Sequence, residues 1–453
     1  MADVIKIKKG LDIHLEGCAE KALLKVEKSA TYAVCPTDFD GITPRVTVKA
    51  GDRVKAGSVL MEDKNCPEIK FVSPVSGEVT AINRGEKRKL LSIVVTADDT
   101  IAYEEFDIQP LTDMKGGEVK QCLLAAGLWP FIKQRPYDMV ANPKTTPRDI
   151  FVSTFDSSPL APDFAFVLQG EEENFKTGLK ALQKMTEGAV YLGVKNEDAL
   201  KGLIQTKENG FKIVAFEGPH PAGNVGVQIN CVKPINKGET VWTLRADDVL
   251  LIGRLFNKGF ADFSRKIAVT GSQVTERGYA DVVMGAEIKS ILQGRVNDNG
   301  HLRYISGNVL TGTKVSIGDY LRAYHTQVTV IPEGNNVHEM LGWAMPRLNQ
   351  FSTSRTYFSW LFGKKEYALD ARVKGGKRAI IMSNDYDRVF PMNILPEYLL
   401  KAVIAFNIDK MEKLGIYEVA PEDFALCEFV DASKIEIQQI IREGLNKLYK
   451  ELH

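Results

Sequence analysis

The chain has 453 residues, of which 44% are hydrophobic and 26% are charged, proportions that fit an ordinary globular protein of about three domains. Lysine plus arginine equals aspartate plus glutamate at 58 each, so no net charge favours a nucleic-acid partner. Six cysteines, none paired at the spacing of a metal knuckle, exclude a disulfide scaffold and indicate isolated, reduced thiols.

The sequence predicts neither a secretory signal nor a membrane-spanning helix. The first ten residues, MADVIKIKKG, are basic but no apolar segment follows them. The most apolar uncharged segment, residues 121–132, is far shorter than the ~20 residues that cross a bilayer. We therefore expect a protein of the cytoplasmic side, whose contact with a membrane is peripheral or made through a partner.

Short strands and tight turns are predicted near the start of the chain. Residues 45–82 alternate valines with polar residues between glycine and proline turns, which is typical of a small β-barrel. Two segments, GDRVKAG (51–57) and SGEVTAI (76–82), echo each other and indicate two interlocked halves. The barrel resembles lipoyl and biotinyl carrier domains, in which a modified lysine lies on an exposed hairpin. We assign residues 1–115 to it, with Lys64 as the candidate carrier lysine.

Residues 116–149 are predicted to be an extended connector with a short helix at 118–126. The segment WPFIKQRPY (129–137) mixes aromatic rings, stiff prolines and cations. This combination suits an apolar ring-shaped ligand or a partner surface. The alternative is a linker that packs its aromatic rings on a neighbouring domain.

Residues 150–260 are predicted to form a parallel sheet. Three apolar, β-rich segments at 150–155, 189–194 and 211–216 alternate with helical patterns, the second of which begins at Asn196. No Gly-x-Gly-x-x-Gly motif follows the first strand, and the chain has no Walker A loop. These absences lower the expectation of NAD or flavin binding without excluding it, because amides at a helix start also bind phosphate.

The remaining sequence divides into an α+β module at 261–345 and a helical region at 346–453. In the module we predict a strand at 267–270, a helix near 286–292 and strands around Val315 and Val328. In the tail, Ser433 and Glu436 have the spacing of a capping box. An apolar stripe follows them on the terminal helix, formed by Ile437, Ile440, Ile441, Leu445, Leu448 and Leu452.

One histidine stands out as a candidate functional residue. His220 lies in GPHPAGN (218–224), where prolines and glycines fix an imidazole on a rigid loop. A purely structural turn is the alternative. No metal-ligand spacing and no activated nucleophile are found, so neither a metal site nor a catalytic residue is predicted.

Several segments, taken in order, resemble the A subunits of the sodium-translocating NADH:quinone reductases of bacterial membranes. The resemblance covers nearly all residues and is strong because the segments occur together. They are IKIKKGLD (5–12), SPVSG (73–77) with AINRGEKR (81–88), GPHPAG (218–223), GRLF (253–256), TGSQV (270–274) and PMNILP (391–396).

The family also resembles the C subunit of the Rnf complex and the flavin-bearing subunit of complex I. This implies an α/β multidomain fold: a barrel-sandwich domain, a Rossmann-like domain at 150–260, a β-grasp (SLBB-like) domain at 261–345, and a ferredoxin-like helical remnant. Phe390 stands where related Rnf subunits carry cysteines, and Cys427 has no second thiol at cluster spacing. We therefore expect no iron-sulfur cluster in this chain.

The resemblance implies a peripheral, cytoplasm-facing component of a translocase, without a redox cofactor and not catalytic alone. Its complex, a six-membered assembly lettered A to F, passes electrons from NADH to quinone (semiquinone to quinol) while sodium is exported. FAD, FMN, riboflavin and the 2Fe-2S cluster belong to the integral membrane and flavin-bearing partners. Trp129, Phe131 and Arg135 are the candidate quinone or partner surface, and His220 is a hydrogen-bonding candidate. The alternatives are a swinging-arm carrier and a stand-alone nucleotide-binding enzyme.

Overall fold

Residues 3–30 lie along two domains whose other strands come much later in the chain. The computed structural model describes residues 3–196, 211–297, 300–335, 341, 345–363 and 365–453. Strand β1 (Asp3–Lys6) runs parallel to β14 (Phe211–Glu217), and β2 (Leu23–Leu24) runs parallel to β17 (Gly278–Val283). Strands β1 and β2, which fall in the segment assigned to the barrel domain, therefore pair with sheets outside the barrel. Open sheet edges have unpaired backbone groups, and an extended segment satisfies them.

Two small sheets form the barrel. Its strands are β3 (Thr31–Val34), β4 (Pro44–Val46), β5 (Arg53–Val54), β6 (Val59–Asp63), β7 (Lys70–Val72), β8 (Gly77–Arg84) and β9 (Leu90–Ala97). The sheet orders are β3-β9-β8-β5 and β4-β6-β7. The two echoed segments pair with each other, because Val54 lies opposite Gly77 in β8. A Cβ at Gly77 would overlap the carbonyl group of Thr96 in β9, so the close pairing of β8 with β9 at this point needs glycine.

The α/β domain contains the helices and strands that follow. They are α1 (Gly116–Ala125), β10 (Lys133–Arg135), β11 (Met139–Val140), β12 (Ile150–Ser153), α2 (Phe164–Val167), α3 (Glu172–Gln183), β13 (Val190–Val194), β14, α4 (Val225–Val232), β15 (Val241–Arg245) and α5 (Ala246–Lys258). Strands β12 to β15 are parallel and lie in the order β14-β13-β12-β15. The order is 3-2-1-4 when these four strands are numbered along the chain, and their parallel pairing confirms the parallel sheet that the sequence predicts.

Residues 116–149 are part of this domain and are not an extended connector. Strand β10 pairs antiparallel with β15 and with β11, which extends the sheet to seven strands. The pairing satisfies the free edge of β15, although β10, with the sequence Lys-Gln-Arg, has no apolar alternation. Helix α1 lies where the short helix is predicted. The helix predicted to begin at Asn196 falls outside the described residues.

The next domain is a six-stranded sheet with one short helix. Its elements are β16 (Ser264–Thr270), β17, α6 (Ile288–Leu292), β18 (Leu302–Ser306), β19 (Thr313–Val315) and β20 (Gln327–Pro332). The strand order is β19-β18-β20-β16-β17-β2. The predicted strands and helix of this module all occur. Its core is closed by α6, whose Ile288 and Ile291 are fully buried.

Helices dominate the last domain. They are α7 (Asp385–Val389), α8 (Pro396–Ile404), α9 (Ile408–Lys413), α10 (Ala425–Val430) and α11 (Ile437–Leu452), with 3-10 helices at Phe358–Phe362 and Pro421–Phe424. In the part of the chain that the structure describes, no helix combines the length and the apolar character needed to cross a bilayer.

The predicted capping box of the terminal helix is wrong. Helix α11 has Glu436 at its N-cap position, and the Glu436 side chain makes no capping hydrogen bond; Glu428 instead accepts the N–H group of Gln438 at 2.8 Å. Ser433 instead donates its hydroxyl to the carbonyl group of Ala379 at 2.9 Å, and Asp431 accepts its N–H group. The helix therefore starts one turn later than a serine cap requires. The stripe itself is buried at Ile437, Ile441, Leu445 and Leu448, whereas Leu452 is 43% exposed.

Candidate functional site

His220 lies at the carboxyl edge of the parallel sheet, the edge at which ligands of such sheets bind. The loop after β14 brings it to Ser157, which follows β12, and Ser157 Oγ lies 3.0 Å from His220 Nδ1. Ser157 Oγ accepts the N–H group of Gly223 at 2.8 Å. The Ser157 hydroxyl can donate to Nδ1 when the ring proton is on Nε2, and it can accept from Nδ1 when the ring proton is there.

An N-terminal segment crosses this loop and holds it in place. Asp12 Oδ1 accepts the N–H group of His220 at 2.9 Å, and the carbonyl oxygen of His220 accepts the N–H group of Leu11 at 2.9 Å. Gly10 has a φ of +148°, and a Cβ at this position would overlap the His220 carbonyl. The close crossing thus depends on glycine at position 10.

Burial sets the protonation state of His220. The residue is 4% exposed, and burial lowers the pKa of its imidazole, while Asp156 and Asp12 act in the opposite direction. The ring is consequently neutral at neutral pH and can donate or accept a hydrogen bond without carrying charge.

A cavity of about 580 Å³ lies beside this loop. Its lining mixes carboxylates with a cation and hydroxyl groups, among them Asp12, Asp156, Ser157, Ser158, Lys195 and Glu366. The Ser158 hydroxyl is buried and lacks a hydrogen-bond partner, while its N–H group is bound by Asp156 at 2.7 Å. The cavity has room for a polar small molecule.

Arg135 reaches the same junction from the other side. Its Nη1 lies 2.8 Å from Asp423 Oδ2, and its Nη2 lies 2.8 Å from Glu422 Oε1. Asn224, four residues after His220, also contacts the acidic residues that bind Arg135. Its Nδ2 donates to the carbonyl oxygen of Glu422 at 3.3 Å. The structure thus brings two of the predicted residues, Arg135 and His220, to one junction of the α/β and helical domains.

Trp129 and Phe131 are elsewhere, and they are buried at 0% and 3% exposure. Trp129 Nε1 donates to the carbonyl oxygen of Ala141 at 2.7 Å, and its ring lies edge-on to Trp242 at 5.2 Å. The expected exposed ring surface is therefore absent at these two side chains. Burying aromatic rings of this size between domains is more favourable than leaving them exposed to water, because it removes a large apolar area from solvent.

Phe131 joins a cluster of rings between domains. It lies edge-on to Phe39 and Tyr324, with ring centroids 6.4 Å and 6.1 Å away, and the Arg265 guanidinium lies 5.2 Å from its ring centroid. These contacts match the alternative in which the segment packs its aromatic rings on neighbouring domains.

A buried ionic cluster adjoins the ring cluster. Arg265 Nη1 lies 2.7 Å from Asp247 Oδ2, and its Nη2 lies 2.8 Å from Asp248 Oδ1. Burial, followed by the charges of Arg245 and other cations, lowers the pKa of the nearby His325 to about 3. Sequence reasoning missed this cluster, since no local pattern shows that Arg265 on β16 folds back onto the two aspartates of α5.

Lys64 lies exposed in the turn between β6 and β7, where a carrier lysine would be. For metals, the described residues contain no group of three histidine, cysteine, aspartate or glutamate side chains placed to hold an ion. Cys427 is fully buried, and burial, with nearby carboxylates, raises the pKa of its thiol well above the ordinary value. A thiolate ligand is therefore disfavoured there.

Sequence reasoning also missed Asp12, Ser157, Glu422 and Asp423. Ser157 had a signal, because it follows the first strand of the parallel unit and must lie at the carboxyl edge. The two acidic residues after Pro421 had none, as nothing local indicates that they meet β10.

Three family models match the chain. They are the NqrA N-terminal barrel-sandwich hybrid domain over residues 5–98, the NqrA second alpha/beta domain over 114–261 and the NQRA C-terminal domain over 266–316. Together they cover the barrel, the α/β domain and the start of the six-stranded sheet.

Curated relatives match the chain end to end, and they are A subunits of Na(+)-translocating NADH-quinone reductases. The relative from Neisseria meningitidis serogroup B is 37% identical over 458 residues, which is 99% of this chain and 100% of the relative. The relative from Photorhabdus laumondii is 35% identical with the same coverage. A crystal structure of an NAD+-reducing NiFe-hydrogenase, air-oxidized, covers 78% of this chain and 67% of its own at 11% identity, with a TM-score of 0.36, which supports no conclusion.

Proposed function

The chain belongs to the NqrA family, and we propose that it works as the A subunit of a sodium-translocating NADH:quinone reductase, on the cytoplasmic face of the bacterial inner membrane. There it supports quinone reduction coupled to sodium export. The observation that carries this proposal is the match over 99% of the chain to relatives of that name, which it covers completely. The A subunit therefore contributes structure and binding, and the complex performs the reaction.

We also propose that this chain holds no redox group and that the flavins and the 2Fe-2S cluster belong to partner subunits. The helical domain supports this point. Phe390 and Phe424 pack with ring centroids 5.0 Å apart and are both buried, so aromatic rings fill its interior. Beside them, the protonated Cys427 thiol offers one sulfur where a cluster needs about four thiolates.

Quinone contact by Trp129, Phe131, Arg135 and His220 is part of the proposal. In the described arrangement, a quinone reaches the two aromatic rings only if neighbouring side chains move apart, since both are closed off from solvent. The cavity beside the His220 loop is open to a ligand, but His220 is 4% exposed and does not line it, so a quinone oxygen that bonds the neutral imidazole needs the loop to move.

Purification from native membranes tests the proposal. A chromosomally tagged chain is expected to bring down integral and flavin-bearing subunits, and the preparation should reduce quinone with NADH in a sodium-dependent way. Flavin should be found in the complex and not in the chain after it has been separated. Recovery of the chain as a free monomer, or with stoichiometric flavin or iron of its own, would contradict the proposal.

A stand-alone nucleotide-binding enzyme is the second candidate, and the strand order of the sheet favours it. Titration of the isolated chain with NADH and with FMN decides between the two. We expect no binding of either, since the loop after β12 lacks the glycine-rich turn that lets a pyrophosphate approach the backbone.

A further inference from the structure

A single helical turn of the last domain exposes four large apolar side chains. In the 3-10 helix Phe358–Phe362, the exposed fractions are 53% for Phe358, 46% for Trp360, 61% for Leu361 and 59% for Phe362. Ser359, between them, is 1% exposed, so this side of the turn faces the protein. We name these four side chains the aromatic turn. Exposed apolar groups packed this closely mark a surface that contacts something other than water.

The charge around the aromatic turn is one-sided. Residues 341–365 contain no aspartate or glutamate, although acidic and basic residues are equal in the chain as a whole. The same stretch contains four cations, namely Arg347, Arg355, Lys364 and Lys365. A partner for this surface must therefore accept apolar side chains and supply negative charge next to them.

Two of these cations lie against aromatic rings of the stretch. The Arg355 guanidinium is 5.4 Å from the centroid of the Trp360 ring, and that of Arg347 is 5.6 Å from the Tyr357 ring. A cation held beside an exposed indole ring puts a positive charge directly next to an apolar surface. Aromatic rings with flanking arginine and lysine are typical of the boundary between headgroups and acyl chains in a bilayer.

We propose that the aromatic turn inserts into the headgroup region of an anionic phospholipid bilayer and holds this chain against the membrane. The inference rests on the proposed function, because a component of a membrane complex is the kind of protein that gains from such a contact. Apolar burial and the attraction between the cations and lipid phosphates act together, and each anchors only weakly alone.

The cavity of about 800 Å³ beside Tyr357 is not part of the proposal. It is also lined by cations, but carboxylates neutralise them. Arg372 pairs with Asp370 at 2.6 Å, and Lys377 pairs with Glu436 at 2.7 Å. Arg355, which lies against the Trp360 ring, makes no ion pair with a carboxylate of the described residues.

Vesicle flotation of the purified full-length chain tests the proposal without its partner proteins. We expect binding to vesicles of equal parts phosphatidylglycerol and phosphatidylcholine, and little binding to phosphatidylcholine alone. The double variant Trp360→Ser/Phe362→Ser should lose at least about tenfold in binding. Each of Arg355→Gln and Lys365→Gln should lose about fivefold. Ile404→Ser removes an equally exposed apolar side chain of α8 and should bind as wild type.

Fluorescence quenching gives a second, independent measurement. In a Trp343→Phe background, lipids brominated in the upper acyl chain should quench Trp360, while Trp129 and Trp242, at 0% exposure, are not quenched. Thermal unfolding of each variant shows that it folds.

Two results would overturn the proposal. One is binding of the double variant as strong as that of wild type. The other is a wild-type chain that ignores both kinds of vesicle while the double variant no longer co-purifies with integral subunits, which would make the turn a protein interface. That second result would leave the proposed function standing, since co-purification of wild type tests it separately.

Discussion

Arg135 and Asp423 form an ion pair in which Nη1 lies 2.8 Å from Oδ2 and neither side chain is reached by solvent. The pair joins the end of β10 in the α/β domain to the 3-10 helix before α10. Removing two charges from water costs several kcal/mol each, and good geometry with further hydrogen bonds offsets that cost. Glu422 and the carbonyl oxygen of Glu418 supply those further bonds.

Loss of this pair should be strongly destabilising. Arg135→Ala leaves Asp423 buried and unpaired, so we expect the free energy of unfolding in urea to fall by about 3 to 5 kcal/mol. The double variant Arg135→Ala/Asp423→Ala should lose less than the sum of its parts. The control is Lys237→Ala, which breaks an exposed pair with Glu412 across the same two domains and should cost at most about 1 kcal/mol. Equal losses in both would show that burial does not matter here.

The aromatic candidates need substitutions that keep the core filled. Alanine at the buried Trp129 or Phe131 would cost about 3 to 5 kcal/mol by itself. We therefore choose Trp129→Phe and Phe131→Leu and expect kcat/KM for quinone to fall about tenfold, while NADH oxidation by an artificial acceptor is unchanged.

A matched control for these variants is Phe151→Leu, which changes a buried ring stacked on Tyr191 in the α/β sheet. It should leave both activities intact. If Trp129→Phe and Phe131→Leu also leave quinone kinetics unchanged, the two residues have no role in quinone reduction.

Acid should destabilise the protein through His325. Burial and the cations Arg245, Arg322, Lys133 and Arg265 lower its pKa from 6.5 to about 3. The unfolded chain takes up the proton below pH 6.5 and the folded chain does not, so stability is present above pH 6.5 and is lost as the pH falls towards 3. The difference in unfolding free energy between pH 7 and pH 4.5 should shrink by about 2 to 3 kcal/mol in His325→Gln.

Glutamine at position 325 keeps a polar group for the Ser306 hydroxyl, which lies 2.9 Å from His325 Nδ1. The comparison variant is His14→Gln at an exposed site, which should follow the wild-type pH dependence. If His325→Gln loses as much stability between pH 7 and pH 4.5 as wild type, His325 is not the group responsible.

The carrier alternative makes a prediction about mass. A swinging arm on Lys64 would add a lipoyl or biotinyl group, and its exposed position would allow this. We expect the intact mass of native protein to equal that of the unmodified chain, because Pro67 follows Lys64 more closely than the carrier pattern allows. Lys64→Arg should retain the quinone reductase activity of the complex. A native mass that shows a modified Lys64 would support the carrier function instead.

Strands with apolar sequences were predictable, and those fixed by their neighbours were not. The apolar segments of β12, β13 and β14 predict a parallel sheet, because buried strands must be apolar on both faces. Strand β10 contains only polar residues and becomes a strand because β15 has a free edge. The local sequence was enough to identify Arg135 and His220 as candidates. That both lie at one domain junction depends on Asp423, whose position no local pattern predicts.

Strand β1 is synthesised long before the strand with which it pairs. Strand β1 pairs with β14, and Tyr367 near the other end of the chain bridges to Leu15. At ordinary rates of translation, the partner of β1 is made about 10 to 40 s after it. Residues 3–15 must therefore wait without their partners until Tyr367 has been synthesised. A nascent chain of this protein should consequently rely on chaperones for its earliest residues.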